Sequence, residues 1–545
     1  MIKIITLRKT LFVILFISST ILSATTNYYF YIQFSNKNNS PYSLSTPSDY
    51  LSPRAIARRE HRAPTYDSTD LPITPSYLSQ IENLGVHLHN RSKWMNGATA
   101  LLADSSKMSL VRALSFVKFV QYTGKVDIAA PISPQRVINQ SNFDYGVANT
   151  QISQLTGKYM HNLGYRGKDM VIGILDAGFT NVNVNPAFDS LRLQGRLLGT
   201  KDIIDPLSNI YAQDTHGANV LSTMAGNLPG QFLGTAPDAS FWLIRTEYAP
   251  TEYLVETDFW CSGIEFADSA GVDIVNSSLG YTTFDDPSMN FTYADMNGKV
   301  SRASMAASQA ASKGIVVVNS AGNDGAKAWH YISSPADAEG IVTVGSVQSD
   351  GLSSSFSSYG PSADGRIKPE ISSLGTAAAV VNSQGLPITG NGTSYASPIM
   401  AGMIACLLQE RVADVSFFNI STVLQAVFQT GNLYASPTAQ KGYGIPNFEQ
   451  VLNNFITIES GQVQQYKDFQ VFNNSLDKNI LLRIKDASII KNATIRIYSL
   501  TGMVVAKQLV SQNEIVFNTN DLSPGIYAVC LSTDDKTFTQ KVIIK

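Results

Sequence analysis

The sequence predicts an α/β fold: a mostly parallel sheet with helices on both faces, preceded by a small α+β unit and followed by a small all-β sandwich. Three observations predict it. Between residues 145 and 455, short runs rich in Val and Ile recur: "DMVIGILD", "VDIVNSSLG", "GIVVVNSAGN" and "IVTVGSV". Helical patterns lie between them: "HGANVLSTMAG", "WCSGIEFADSAG" and "SRASMAASQAASKG". Continuous apolar strands alternating with helices belong to sheets buried on both faces. The C-terminal segments "ATIRIYSLTG", "NEIVFNTNDL" and "GIYAVCLSTDDKTFTQKVIIK" switch to period-two alternation with turn signals, the pattern of a sandwich.

The elements follow in chain order. Lys3, Arg8 and Lys9 precede the apolar run from Leu11 to Leu22, and the small residues of "LSAT" follow. This predicts a secretory signal peptide over residues 1–24. The run is shorter than the roughly 20 apolar residues a membrane-spanning helix needs. The expectation is an exported protein, secreted or held at the cell surface. Residues 25–140 read as a separate unit. "YYFYIQF" predicts a strand, "SPRAIARREHR" a basic helix, and "TPSYLSQIENLG" a helix ending at Gly85. His87 and His89 alternate with Val86 and Leu88, as on a half-exposed strand. No third ligand accompanies them, so a surface role is favoured over a metal pair. Residues 145–455 form the α/β domain, 456–475 a linker, and 476–545 the sandwich.

Composition narrows the function. The 545 residues suggest three or four units. Lys+Arg number 40 against 42 Asp+Glu, which argues against nucleic acid as a partner. The three cysteines, Cys261, Cys406 and Cys530, lie far apart and suggest neither a metal cluster nor a disulfide framework. One bridge between two of them stays open.

Three polar residues stand at the edges of apolar elements. Asp176 ends "VIGIL", His216 opens "HGANVLSTMAG", and Ser394 opens "SYASPIMAGMIACLL". Singly, each reads as a turn, surface or capping residue. Together they supply a nucleophile, a base and an orienting carboxylate. A serine hydroxyl attacks only after a base takes its proton, and neutral imidazole does this near neutral pH. A buried carboxylate then holds the ring in the right tautomer. Asn323, behind Gly322 in "VVVNSAGND", is a candidate donor to an oxyanion. The chain order Asp, His, Ser differs from that of α/β-hydrolases, and Gly392-Thr393-Ser394-Tyr395-Ala396 lacks the second glycine of their nucleophile elbow.

The motifs "VIGILDAGF", "HGANVLSTMAG", "VNSSLG", "NSAGN" and "GTSYASP" resemble the successive motifs of the subtilase serine proteases. The resemblance covers roughly residues 145 to 455. It implies Asp176, His216 and Ser394 as the triad and Asn323 as the oxyanion residue. It also implies Ser278, Leu279 and Gly280, with Ser320, Ala321 and Gly322, as cleft segments binding an extended peptide by strand addition. His216 and Asn323 argue against the sedolisin branch. The loop "GNLPGQFLGTAP" lacks the paired Asn of calcium-binding relatives, so no cofactor is required and a structural calcium ion is left open. Residues 25–140 resemble propeptides that block the cleft, and the C-terminal unit is similar to Bacteroidota type IX sorting domains. The expected partners are protein or peptide substrates, the protein's own propeptide as inhibitor and the type IX machinery, reached through the periplasm. The implied function is a secreted serine endopeptidase. The alternative is a catalytically silent surface binding protein of the same fold. The small and acidic residues of 332–340 suggest a main pocket tolerant of large or basic side chains.

Overall fold

A computed structural model of the chain describes residues 27–62, 65–126, 144–414 and 418–459, with the C-terminal stretches 469–474, 479–484, 493–499, 503–510, 514–518, 525–533 and 537–544. The expected signal peptide lies outside them. No helix among the described residues is long and apolar enough to cross a membrane.

The N-terminal unit comprises β1 (Asn27–Phe34), α1 (Pro53–Arg62), α2 (Pro75–Asn83), β2 (His87–Ser92), β3 (Gly97–Leu102), α3 (Met108–Arg112) and β4 (Val117–Val126). Its antiparallel sheet has the order β2-β3-β1-β4. Alternation along β1 divides its side chains. Phe30, Ile32 and Phe34 pack with Ile81 of α2 and Val111 of α3. Tyr29 instead joins the core of the next domain.

That domain contains α4 (Asn149–Gln154), α5 (Gly157–Asn162), β5 (Val171–Asp176), α6 (Asp189–Leu193), β6 (Leu197–Asp202) and α7 (His216–Ala225). It continues with β7 (Asn227–Leu228), β8 (Phe232–Leu233), β9 (Ser240–Arg245), α8 (Val255–Ala270), β10 (Ile274–Ser277), α9 (Arg302–Ser312), β11 (Val316–Ser320), β12 (Val342–Val347) and β13 (Ile371–Leu374). It closes with β14 (Ala378–Val381), β15 (Pro387–Gly390), α10 (Thr393–Asp414), α11 (Ile420–Gln429) and α12 (Phe448–Glu459). Seven strands form one parallel sheet, ordered β13-β12-β11-β10-β5-β9-β6. Both faces are covered, as the apolar runs require. Ile172 and Ile174 of β5 pack with α7 and α10. Val171 and Leu175 pack with α8, and Val317 of β11 joins that face with α9. The chain passes from β9 on one side of β5 to β10 on the other. Such a switch point leaves a crevice beyond the carboxyl ends of the strands, and Asp176 stands there.

The C-terminal unit holds β16 (Phe469–Asn474), β17 (Asn479–Ile484), β18 (Thr494–Ser499), β19 (Val504–Leu509), β20 (Glu514–Asn518), β21 (Gly525–Ser532) and β22 (Thr537–Ile544). They form two antiparallel sheets, β16-β17-β20 and β19-β18-β21-β22. Ile480, Leu482, Ile495, Ile497, Val529 and Leu531 are buried between them. The expected linker 456–475 lies partly outside the described residues. The apolar period of α12 carries it to Glu459, and β16 already pairs with β17 from Phe469. Cys261 and Cys406 are buried thiols outside any disulfide.

Candidate active site

Asp176 ends β5 and is fully buried. Its Oδ1 accepts from the Ala177 N–H at 2.8 Å and meets His216 Nδ1 at 2.8 Å. Because a carboxylate oxygen sits on Nδ1, that nitrogen carries the hydrogen and Nε2 is left for the cleft. The Asp214 carboxylate accepts from the His216 backbone N–H at 2.6 Å and starts α7. Gly217 permits the close approach. A Cβ there would stand 2.4 Å from the Gly178 carbonyl oxygen and 2.9 Å from Asp176 Cβ. Burial alone would lower the imidazole pKa. The carboxylates of Asp176 and Asp214 outweigh it and raise His216 above its ordinary value.

Ser394 is the second residue of α10, which begins at Thr393, one position earlier than the sequence suggests. The His216 ring lies 6.2 Å, centroid to centroid, from the ring of Tyr395 next door. The Ser394 hydroxyl does not bond His216 here; it reaches the Ser278 carbonyl at 3.4 Å. Nucleophile and base often tighten only when substrate arrives.

Asn323 stands just beyond β11, where Gly322 adopts a φ of +109°. Its Oδ1 accepts from both the backbone N–H and the hydroxyl of Thr393, each at 2.9 Å. An N–H can only donate, so this fixes which end of the amide is oxygen. The free Nδ2 is left over the turn from Gly392 to Ser394: a Cβ on Gly392 would lie 3.9 Å from it and 3.7 Å from Ser394 Cβ. The N-terminal dipole of α10 adds positive potential at the same place.

The two cleft segments differ. Ser278, Leu279 and Gly280 follow β10, and Gly280 is exposed. Ser320 ends β11, and Ala321 already pairs at both N–H and C=O, with Val344 and Ser333. On the other segment the Leu279 carbonyl accepts from Asn319 Nδ2 at 3.2 Å, and Tyr281 pairs with Ser334 at both N–H and C=O. Between the segments stands Ser333: a Cβ on Gly280 would lie 2.2 Å from its Oγ, and one on Gly322 would lie 3.2 Å away. Within residues 332–340 the one aspartate is Asp337. That carboxylate is fully buried and accepts from Ser304 Oγ at 2.5 Å and Gly298 N–H at 2.7 Å.

The model of the subtilase family matches residues 167–445, just over half of the chain. The chain belongs to the subtilase family. It is accordingly a serine-type endopeptidase. Models of a Bacteroidota peptidase S8 propeptide domain and of a secretion system C-terminal sorting domain match residues 29–140 and 470–545. The sorting domain places the protein outside the cell or at its surface. Subtilisin NAT of Bacillus subtilis subsp. natto is 25% identical over 331 residues, covering 61% of this chain and 75% of the relative. The thermostable alkaline protease of Halalkalibacterium halodurans is 27% identical over 289 residues, covering 53% and 69%. A solved structure, MycP1 with the N-terminal propeptide removed, is 19% identical with a TM-score of 0.43, covering 56% of this chain and 96% of that one.

In this subtilase the propeptide domain is held by buried charge. Arg58 and Arg59 of α1 bond Asp268 at 2.5 and 2.9 Å, Arg62 bonds Asp273 at 2.8 Å, and Lys93 bonds Asp268 at 3.0 Å. In return, Lys313 of the peptidase reaches Asp67 and Asp70 of the propeptide, each at 2.8 Å. Glu265 accepts from Ser92 Oγ and from the N–H groups of Lys93 and Trp94 at 2.6, 2.7 and 3.1 Å. His87 is exposed, as expected, but His89 is half-buried at this interface, with Nε2 3.1 Å from the Ile203 carbonyl.

Sequence reasoning missed several residues of the subtilase site. Asp214 is one of them; a D-x-H pattern before a helix was the available signal. A second feature is a carboxylate group. Glu247, Glu252 and Glu256 bring oxygens within 4.8 Å of one another, and the Tyr281 hydroxyl donates to Glu247 at 3.1 Å. Burial raises all three; Glu252, with the Asp285 charge adding, is pushed up to about 7. Glu256 already accepts from the Tyr248 and Tyr253 N–H groups at 2.9 and 3.1 Å. The loop "GNLPGQFLGTAP" forms the β7–β8 hairpin.

Proposed function

We propose that Ser394 is the nucleophile of this endopeptidase, with His216 as its base, Asp176 orienting His216 and Asn323 stabilising the oxyanion. The observation that carries the reading is the Asp176–His216 bond of 2.8 Å, which leaves Nε2 open beside the N-terminus of α10. A peptide chain lies along the segments Ser278 to Gly280 and Ser320 to Gly322 and directs its scissile carbonyl at Ser394. The hydroxyl turns from the Ser278 carbonyl to His216 Nε2, which takes the proton as Oγ attacks carbon. The carbonyl oxygen becomes an oxyanion, met by Asn323 Nδ2 and the Ser394 N–H. His216 then gives the proton to the leaving amine, and an acyl-enzyme remains. Water, deprotonated by His216, releases the acid product. No cofactor enters these steps. The propeptide acts as inhibitor until removed, and the type IX machinery carries the protein from the periplasm across the outer membrane.

A fluorophosphonate probe tests the assignment. An adduct on Ser394 in the mature wild type, absent from Ser394→Ala, is expected. The same lack of adduct in both, with mature protein present, would leave the silent binding protein as the better reading.

A further inference from the structure

Ser278 and Ser394 are joined twice. The Ser278 hydroxyl donates to the Ser394 backbone carbonyl at 2.9 Å, and the Ser394 hydroxyl reaches the Ser278 carbonyl at 3.4 Å. The first bond has its cause in the sequence. In an α-helix the carbonyl of residue 394 accepts from the N–H of residue 398. Residue 398 is proline, inside α10, and has no N–H to give. The carbonyl of the proposed nucleophile is thus left without its helical partner. It is buried, where an unmatched acceptor is costly.

Asn276 aims the replacement. Its Nδ2 donates to Ser278 Oγ at 3.3 Å, and its Oδ1 accepts from Ser397 Oγ at 2.8 Å. With one lone pair of Ser278 occupied by Asn276, the hydroxyl proton is turned towards Ser394. Asn276 and Ser397 are fully buried, and Ser278 and Ser394 nearly so, so water does not compete.

We propose that Ser278, beyond lining the cleft, is a positioning residue for the nucleophile: its hydroxyl, aimed by Asn276, supplies the hydrogen bond that Pro398 withholds from Ser394 and so fixes the turn that carries Ser394 Oγ. This rests on the reading of Ser394 as nucleophile. It separates two roles within one residue. The Ser278 backbone belongs to the substrate cleft and the side chain to the helix that presents the nucleophile. Removing the side chain should therefore touch turnover and spare binding.

The test compares the mature wild type with Ser278→Ala, Ser278→Thr, Pro398→Ala and the double variant Ser278→Ala/Pro398→Ala, with active sites counted by fluorophosphonate. Loss of the hydroxyl is expected to lower kcat per labelled site about tenfold while KM changes less than about twofold. Threonine, which keeps the hydroxyl, should restore most of the rate. In the Pro398→Ala background, where residue 398 regains its N–H, the same loss should cost severalfold less, because the helix satisfies its own carbonyl. The proposal is overturned if Ser278→Ala keeps the wild-type kcat per labelled site. It is also overturned if threonine is as slow as alanine, or if the cost is equal in both backgrounds. A wild type that takes no label would instead sink the assignment of Ser394 itself.

Discussion

The amide oxygen of Asn323 is held twice by Thr393, once by its backbone N–H and once by its hydroxyl, both at 2.9 Å. The residue before the proposed nucleophile thereby sets the orientation of the proposed oxyanion donor. Asn323→Ala should lower kcat about 10²–10³-fold with little change in KM. Thr393→Val keeps the shape and the N–H but loses one of the two anchors, and its loss of kcat should be smaller. Steady-state kinetics on active-site-titrated enzyme checks both.

Acid should silence the enzyme earlier than free imidazole would predict. His216 must be neutral to accept a proton, and the carboxylates of Asp176 and Asp214 raise its pKa against the effect of burial. A raised pKa keeps the ring charged to higher pH, so the acid limb of kcat/KM should lie above the ordinary value of about 6.5. Asp214→Asn removes one charge while keeping a capping oxygen. Its acid limb should move to lower pH, read from a kcat/KM profile between pH 5 and 9.

Asp268 takes three cations of the propeptide while fully buried, and their attraction holds its carboxyl well below the usual range despite that burial. Asp268→Asn leaves Arg58 and Lys93 without their carboxylate, while Arg59 keeps Asp70 at 2.9 Å, and should cost the zymogen about 3–5 kcal/mol. Thermal unfolding of the Ser394→Ala zymogen, which is spared self-cleavage, measures it. The depressed pKa also fixes a sign. The contribution of Asp268 is present above the ordinary carboxyl pKa and is lost only as pH falls through its lower folded value. The zymogen should therefore keep this contribution at pH 5.

The carboxylates of Glu247, Glu252 and Glu256 carry the opposite sign. Their folded pKa values are raised, with Glu252 at about 7, so the folded chain binds protons that the unfolded chain has lost. Stability should fall as pH rises from the ordinary glutamate value through 7. Glu252→Gln should flatten that slope and raise Tm more at pH 8 than at pH 5, as followed by calorimetry on the Ser394→Ala zymogen.

How much of this was legible in the sequence depended on whether a residue's partner was near it in the chain. The strands β5, β10, β11 and β12 were readable because both faces are buried and the apolar runs are continuous. Asp176, His216 and Ser394 became the proposed triad because three weak signals at element edges add up to one chemistry. Asn391 Oδ1 accepts from the Ala377 N–H at 2.7 Å and shapes the turn before α10, a contact across fourteen residues that no local pattern announces. Arg58, Arg59 and Arg62 looked only like a basic helix, because the peptidase carboxylates they meet, Asp268 and Asp273, lie about two hundred residues away. The glutamate group was hidden differently. Its members are close in sequence, but nothing local says that their side chains converge.

The helix that carries Ser394 is also the innermost rod of the domain. From Ala396 to Leu408 nearly every apolar side chain of α10 is wholly buried, and the helix packs against α7 and against the strands β10 to β13. Turnover and the hydrophobic core consequently share one structural member. Fraying of peripheral elements leaves the position of Ser394 untouched, whereas displacing Ser394 means dismantling the interior. Residual activity during heating thus follows the survival of the whole domain, and the lifetime of the enzyme in a hostile medium is set by the barrier to global opening.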